Sequence, residues 1–351
     1  MRLHRASAAL CASLFACVAL ASCAGGARVL GHAGQPLGLE VDFAEAVELG
    51  GGRQWIYAAG ASREAPVLLW LDGGPGGSEL GTVRRYLGPL HESFIVVCWD
   101  QRGTGKTRRL TGGLEGVTVE RYVEDVLELS RLLRERFGRE RIYLVGHSWG
   151  SIIGVMAAAR QPGLYAAYVG VGQQVNSVEN DRIGWRMVRD GARAAGEEKV
   201  ARTLEAYGEP PYREGDKYFY LFRRLYKYSP RPPRPSGFDS TWYFRAPEYA
   251  LRDKIAVYRG LVEGVGEVYP LLADLDFERD VPALGCPVYI VNGRYDLTCV
   301  ADIAARWFGK LEAPRKELVW FENSGHNPCY QEPEAFVRLM AERVLGTSKD
   351  Q

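Results

Sequence analysis

Short runs of β-branched and aliphatic residues alternate along this chain with longer stretches in which apolar positions recur every three or four residues. Val67–Leu71, Phe94–Trp99, Ile142–Val145, Tyr168–Val171, Val288–Val291 and Glu317–Phe321 are runs of the first kind. They read as core strands, because a strand covered on both faces needs apolar side chains at successive positions. Leu39–Phe43 and Gln54–Ala58 read as an opening antiparallel pair. Val119–Phe137 carries Tyr122, Val123, Val126, Leu129, Leu132, Leu133 and Phe137 at helical spacing, which predicts a helix over the whole stretch. Strand, helix and strand in repeated order predict an α/β fold with a mostly parallel, doubly wound sheet. The rhythm breaks between about Gln173 and Asp276, where Tyr, Arg, Phe and Trp are plentiful but no buried strand can be read. That stretch predicts an inserted, largely helical cap. Within it Pro230-Arg-Pro-Pro-Arg-Pro235 reads as a stiff connector or lid edge. A proline-rich ligand for another protein is the sharper reading and fits poorly inside a folded insertion.

The first residues follow a different rule. Met1 to Arg5 is basic and Ala6 to Ala21 is apolar or small, too short to span a membrane comfortably, which reads as a signal peptide. Its end, Leu20-Ala21-Ser22-Cys23, resembles the lipobox of bacterial lipoproteins, in which the cysteine is lipidated and becomes the mature N-terminus. An ordinary cleavage site at Ala19-Leu20-Ala21 is the other reading. Either way the protein is expected outside the cytoplasm: anchored to a membrane through Cys23, or soluble in a secreted or periplasmic form. The predicted organisation is signal peptide 1–22, linker 23–38, core 39–172, cap 173–276 and core again 277–351. With acids and bases balanced at a net charge of +1, no nucleic acid is implied as a partner. The 46% hydrophobic and 11% aromatic content suffices for a sizeable core.

Candidate chemistry begins at Gly146-His-Ser-Trp-Gly150, between a predicted strand and the helix-like Ser151–Ala159. A serine on a sharp strand-to-helix turn needs small residues two before and two after it, and Gly146 and Gly150 supply them. Such a turn exposes the Ser148 hydroxyl and aims the first helix amides at whatever it attacks. A serine nucleophile needs a base and an acid to orient that base, and the chain order Ser, Asp, His is that of the α/β-hydrolase fold. Val288–Asp296 is a strand ending in a turn with an aspartate, and Glu317–His326 is a strand ending in a turn with a histidine. Of five histidines, His4 lies in the leader, His32 in the linker, His91 before a strand and His147 inside the turn, leaving His326 as the base. Asp296 is the acid by its place in the turn, with Asp302 and Glu322 as alternatives. Gly103–Thr107 does not make a phosphate loop, since the glycine required five residues before Gly105 is Asp100. No His, Cys or acidic cluster has metal-ligand spacing, so neither a metal nor a cofactor is expected.

A second oxyanion donor is expected from the glycine-rich loop after Val67–Leu71. Asp72-Gly-Gly-Pro-Gly-Gly77, Trp99–Gly105, Gly146–Ser151, Gly293–Asp296 and Ser324–His326 together resemble the proline iminopeptidase family of α/β-hydrolases across most of the mature chain. The resemblance implies an oxyanion hole of the Gly74 and Trp149 amides, and a structural role for Asp100-Gln101-Arg102 beside the site. It also implies an aminopeptidase that releases N-terminal residues, often proline, from small peptides. The family loop usually begins with histidine where this chain has Asp72, so Asp72 is expected to point away from the oxyanion or to be held by a basic partner. Recognition of a free N-terminal ammonium calls for cap carboxylates, and Glu179, Glu248 and Glu263 are the candidates. Cys299 and Cys329 each follow a triad residue by three positions, so abutting loops make them plausible disulfide partners in an oxidising compartment, with two unpaired thiols as the other reading. An esterase or amidase of small acyl substrates is the second functional reading. A non-catalytic binding protein is disfavoured because all three triad residues are kept.

Overall fold

The computed structural model describes residues 29–32, 34–229 and 237–346. The leader with Cys23 and the segment Pro230–Pro235 lie outside these residues. Eight strands form one sheet in the order β1-β2-β4-β3-β5-β6-β7-β8. They are β1 (Val41–Leu49), β2 (Gly52–Gly60), β3 (Val67–Leu71), β4 (Ile95–Trp99), β5 (Ile142–His147), β6 (Tyr165–Val171), β7 (Val288–Gly293) and β8 (Lys316–Phe321). β2 runs antiparallel to β1 and to β4, and every other neighbouring pair is parallel. This is the α/β-hydrolase fold, with the predicted strands in their predicted places.

The opening pair is longer than the sequence suggested. Its register runs from Val41 opposite Gly60 to Leu49 opposite Gly52. Gly50 and Gly51, at φ 60° and 72°, make the two-residue turn. Glu45 and Glu48 obscure β1 in the sequence because it is an edge strand, buried only at its two ends.

Alternation of side chains explains the layers. Val67, Leu69 and Leu71 of β3 enter one apolar cluster with Val97, Leu144 and Ile290. Leu68 and Trp70 enter the other with Val96, Val145 and Val291. Both sheet faces are therefore covered, as a parallel sheet requires. The helices include α1 (Leu80–Tyr86), α2 (Val119–Phe137), α3 (Trp149–Arg160), α4 (Ser177–Ala194), α5 (Glu198–Tyr207), α6 (Gly215–Phe222), α7 (Leu251–Glu263), α8 (Ala301–Lys310) and α9 (Pro328–Gln331). Helix α2 has the predicted bounds: Thr118 caps its start by accepting from the Arg121 amide, and Gly138 at φ 61° ends it. Between β6 and β7 the described chain adds no strand to the sheet. It forms its own apolar cluster around Trp185, Leu204, Tyr218 and Leu221, and Asn176 pairs with Asp276 where it leaves and rejoins the core.

The carboxyl ends of β3, β5, β7 and β8 lie along one edge, so the loops that follow them converge there. One close approach is at Gly150, where a Cβ would overlap the Leu71 carbonyl. Gly163, by contrast, has nothing within 4 Å of its Cβ position. Gly150→Ala is therefore expected to destabilise the protein by about 1–3 kcal/mol, while Gly163→Ala leaves the urea midpoint unchanged; equal midpoints for the two variants would contradict this packing.

Candidate active site

Ser148 is the one non-glycine with positive φ among the described residues, at φ 53° and ψ −117°. A side chain rarely tolerates that backbone, and such strain persists only where its surroundings over-determine it. Here the Ser148 amide donates to the Val171 carbonyl (2.9 Å) and the Ser148 carbonyl accepts from the Ser151 hydroxyl (2.6 Å). A Cβ on Gly146 would overlap the Gly150 carbonyl, so the turn closes only with glycine there.

His326 Nε2 lies 2.9 Å from Ser148 Oγ, and its Nδ1 lies 2.9 and 3.1 Å from the two Asp296 oxygens. A carboxylate can only accept, so Nδ1 carries the proton and Nε2 is left to take one from the hydroxyl. Asp296 is buried and its Oδ1 also accepts from the Thr298 and Cys299 amides, both at 2.9 Å. Neither alternative acid competes. Glu322 pairs with Arg294 at the surface, and Asp302 sits in the first turn of α8. Asp100 accepts from the Tyr57 and Tyr249 hydroxyls and the Lys106 amide, Gln101 accepts from the Trp149 indole, and Arg102 pairs with the buried Asp125. That segment therefore braces the site from behind.

Gly74 and Trp149 both line the space around Ser148. Among the described residues no loop carbonyl takes either amide. Gly73 passes so close that a Cβ on it would sit 3.4 Å from Ser148 Cβ. Asp72, at the head of this loop, has no basic partner among the described residues, so of the two sequence expectations the one of a basic partner is not met. It is buried, and neither carboxyl oxygen has a hydrogen-bond partner. Burial, and after it the charge of Glu79, pushes its carboxyl well above the ordinary 3.8. The shift favours the neutral form of Asp72, in which it opposes an oxyanion less than a carboxylate would.

Two cavities meet at Ser148. The smaller, about 90 Å³, is walled by Ile152, Phe222, Val265, Tyr269 and Leu272 with Cys299 beside them. The larger, about 240 Å³, is lined by Gly77, Glu79, His147, Tyr243, Leu261 and Asn327. Glu179, Glu248 and Glu263 line neither. Glu179 pairs with Arg306 at the surface, Glu248 with Arg84, and Glu263 makes two bonds to Arg108 at 2.6 and 2.7 Å. Each is already neutralised by an arginine, which a linear sequence does not reveal.

The carboxylate that sequence reasoning missed is Asp181, on α4. It accepts from the Tyr269 hydroxyl (3.0 Å) and the Asn180 amide (3.3 Å), and no Lys, Arg or His pairs with it among the described residues. Burial pushes its pKa up to about 7. Tyr269 lies between it and the small cavity, and its charge reaches the Cys299 thiol on the cavity wall.

Of the two readings for Cys299 and Cys329 the disulfide is not formed: both are free and buried. Although the two loops do meet, through Asp296 and His326, the thiols leave that junction in different directions. Cys299 faces the small cavity beside Ser148, while Cys329 enters the apolar layer of Trp70 and Phe336.

The profile of the alpha/beta hydrolase family matches residues 68–339. The chain is 27% identical over 304 residues to the probable aminopeptidase YbaC of Bacillus subtilis, covering 84% of this chain and 94% of that one. It is 25% identical over 285 residues to the putative carbamate hydrolase RutD of Agrobacterium fabrum, covering 80% and 94%. Among solved structures, proline iminopeptidase of Mycobacterium smegmatis superposes with a TM-score of 0.63 at 18% identity, over 88% of this chain and 99% of that one. At that identity the likeness shows the fold alone.

Unreduced protein, denatured and alkylated, should carry the label on both Cys299 and Cys329. Recovery of a peptide linking the two would contradict the arrangement described.

Proposed function

Because this chain belongs to the alpha/beta hydrolase family, we propose that Ser148, His326 and Asp296 make it a serine hydrolase acting through an acyl-enzyme, and that it is an aminopeptidase for small unblocked peptides. The observation that carries the hydrolytic reading is the 2.9 Å contact between Ser148 Oγ and His326 Nε2, continued to Asp296. Ser148 attacks the carbonyl carbon while His326 takes its proton and Asp296 stabilises the imidazolium. The Gly74 and Trp149 amides receive the developing oxyanion. His326 then returns the proton to the leaving amine, and water enters by the same route in reverse to release the acid.

The aminopeptidase reading is supported by the named activity of the Bacillus subtilis relative and by Asp181. The small apolar cavity suits one compact residue, and a carboxylate beyond Tyr269 without a basic partner suits the ammonium of an unblocked N-terminus. Esterase, amidase or carbamate hydrolysis is the second reading, since the cavity walls are apolar and a relative carries the last of these names. The leader ending at Cys23 supports a lipid-anchored enzyme outside the cytoplasm.

Ser148→Ala is expected to lower turnover by about 10³-fold or more with an unchanged melting temperature. Residual activity near wild type would remove Ser148 from the mechanism.

Asp181 provides the test of specificity. Asp181→Asn should raise the KM for proline anilide by about tenfold, the worth of a buried charge acting across Tyr269 without direct contact, and leave a neutral short-chain ester within about twofold. Its raised pKa leaves Asp181 neutral below about pH 7 and charged above it. The wild-type KM for the anilide should therefore fall as pH rises through about 7, with no such change for the ester or in the Asn variant. Equal losses on anilide and ester would place Asp181 outside recognition.

A further inference from the structure

Behind the catalytic serine lies a buried pair that the hydrolytic scheme does not use. Glu79 and His147 have side chains only 3% and 2% exposed, and Glu79 Oε1 stands 2.6 Å from His147 Nδ1. Glu79 Oε2 accepts from the Trp70 indole (2.8 Å) and the Tyr330 hydroxyl (2.9 Å). On the far side of the imidazole, His147 Nε2 donates to the main-chain carbonyl of His326 at 3.1 Å. A carbonyl only accepts, so Nε2 holds a proton. The bond between Nδ1 and Oε1 must hold one as well, since two lone pairs cannot face each other at that distance.

The pair therefore touches three segments of the site. His147 is the residue before Ser148, its Nε2 grips the backbone of the base, and Tyr330 lies on α9 just after it. A Cβ at Gly73 would sit 3.0 Å from Glu79 Oε1 and 3.3 Å from His147 Nδ1, so the oxyanion loop rests on the same pair. Stability alone does not account for it, because a buried ion pair is often matched or bettered by apolar side chains of equal volume. What such a pair supplies is a fixed geometry among three loops.

We propose that Glu79 and His147 are positioning residues, which hold the His326 backbone and the Gly73–Gly74 loop in register with Ser148 through one shared proton. Loss of that proton leaves a carboxylate facing a bare ring nitrogen, and the register is lost with it. Burial opposes both charges. The mutual attraction outweighs it, lowering Glu79 below its usual value and raising His147 above its own. The surroundings act in the same sense. Asp296 favours the charge on His147, and burial drives the neighbouring Asp72 toward its neutral form. Tyr330, Tyr243, Cys329 and Cys98 face Glu79 with pKa values driven upward, first by their own burial, so they stay protonated. The remaining neighbour is the His326 ring, tilted 35° with its centroid 5.3 Å from that of His147.

The proposal rests on Ser148 being the nucleophile, and its test keeps the two apart. The rate of inactivation by an uncharged fluorophosphonate, which does not titrate, is measured on the full chain from about pH 6 to about pH 10. Wild type should lose reactivity on the alkaline side with the release of one proton. His147→Gln can still donate to the His326 carbonyl but holds no titratable proton. It should react about tenfold to a hundredfold more slowly, as expected for a base displaced by a fraction of an ångström, and lack the alkaline fall. Glu79→Gln should behave alike, and if it does not fold then His147→Gln decides. An alkaline fall that is missing in wild type, or is the same in folded His147→Gln, overturns the proposal, as does wild-type reactivity in that variant. Labelling of Ser148→Ala at the wild-type rate would instead remove the nucleophile on which the proposal stands.

Discussion

Everything at this site depends on the backbone of Ser148 being held where a side chain seldom goes. At φ 53° the chain turns from β5 into α3 within one residue, so the hydroxyl stands clear of the sheet at the start of α3. Strain of this kind costs of order 1–3 kcal/mol and must be balanced by neighbours that leave no alternative. The neighbours are the backbones of Gly146 and Gly150 packed against each other and against Leu71, and the two hydrogen bonds that pin the Ser148 peptide. Because Leu71 ends the strand that leads into the glycine-rich loop, the contact that fixes the serine also fixes the loop above it.

Electrostatics complete the arrangement through buried carboxyl groups in different states. Asp72 and Glu79 are neighbours in one loop, and burial acts on both alike. They diverge because Glu79 finds His147, Trp70 and Tyr330, whereas Asp72 finds no partner and is driven toward its neutral form. The ordinary repulsion between two buried acids is thereby avoided. Burial raises the pKa of Asp181, behind Tyr269, to about 7, since only neutral groups donate to it. Partners, not depth, thus decide which acid keeps its charge.

The sheet was legible in the sequence because strands covered on both faces write themselves as unbroken apolar runs, and helix α2 because its apolar stripe has a clean period and two good caps. β1 was half hidden, since an edge strand buries few of its residues. The triad was legible for a different reason: chain order and turn position point to Asp296 and His326 without any knowledge of the cap. What was not legible is whatever depends on partners distant in sequence. Glu263 and Asp181 look equally promising as cap acids on paper, but one meets Arg108 and the other meets only neutral groups. A basic partner for Asp72 was one of two readings drawn from its charge beside an oxyanion, and a Cys299–Cys329 bridge was one of two drawn from abutting loops; the described residues show neither. Glu79 carried one faint signal, an acid closing a glycine-rich loop, and His147 none beyond its place next to the serine.

The central claim is that one hydroxyl, raised by the turn and served by His326, does the chemistry. Treating the protein with a fluorophosphonate and mapping the adduct by peptide mass spectrometry tests it most directly. The account predicts a single phosphonyl group on the peptide bearing Ser148, absent when His326 is replaced by Ala. Stoichiometric modification at any other residue, or undiminished modification of Ser148 without His326, would contradict it.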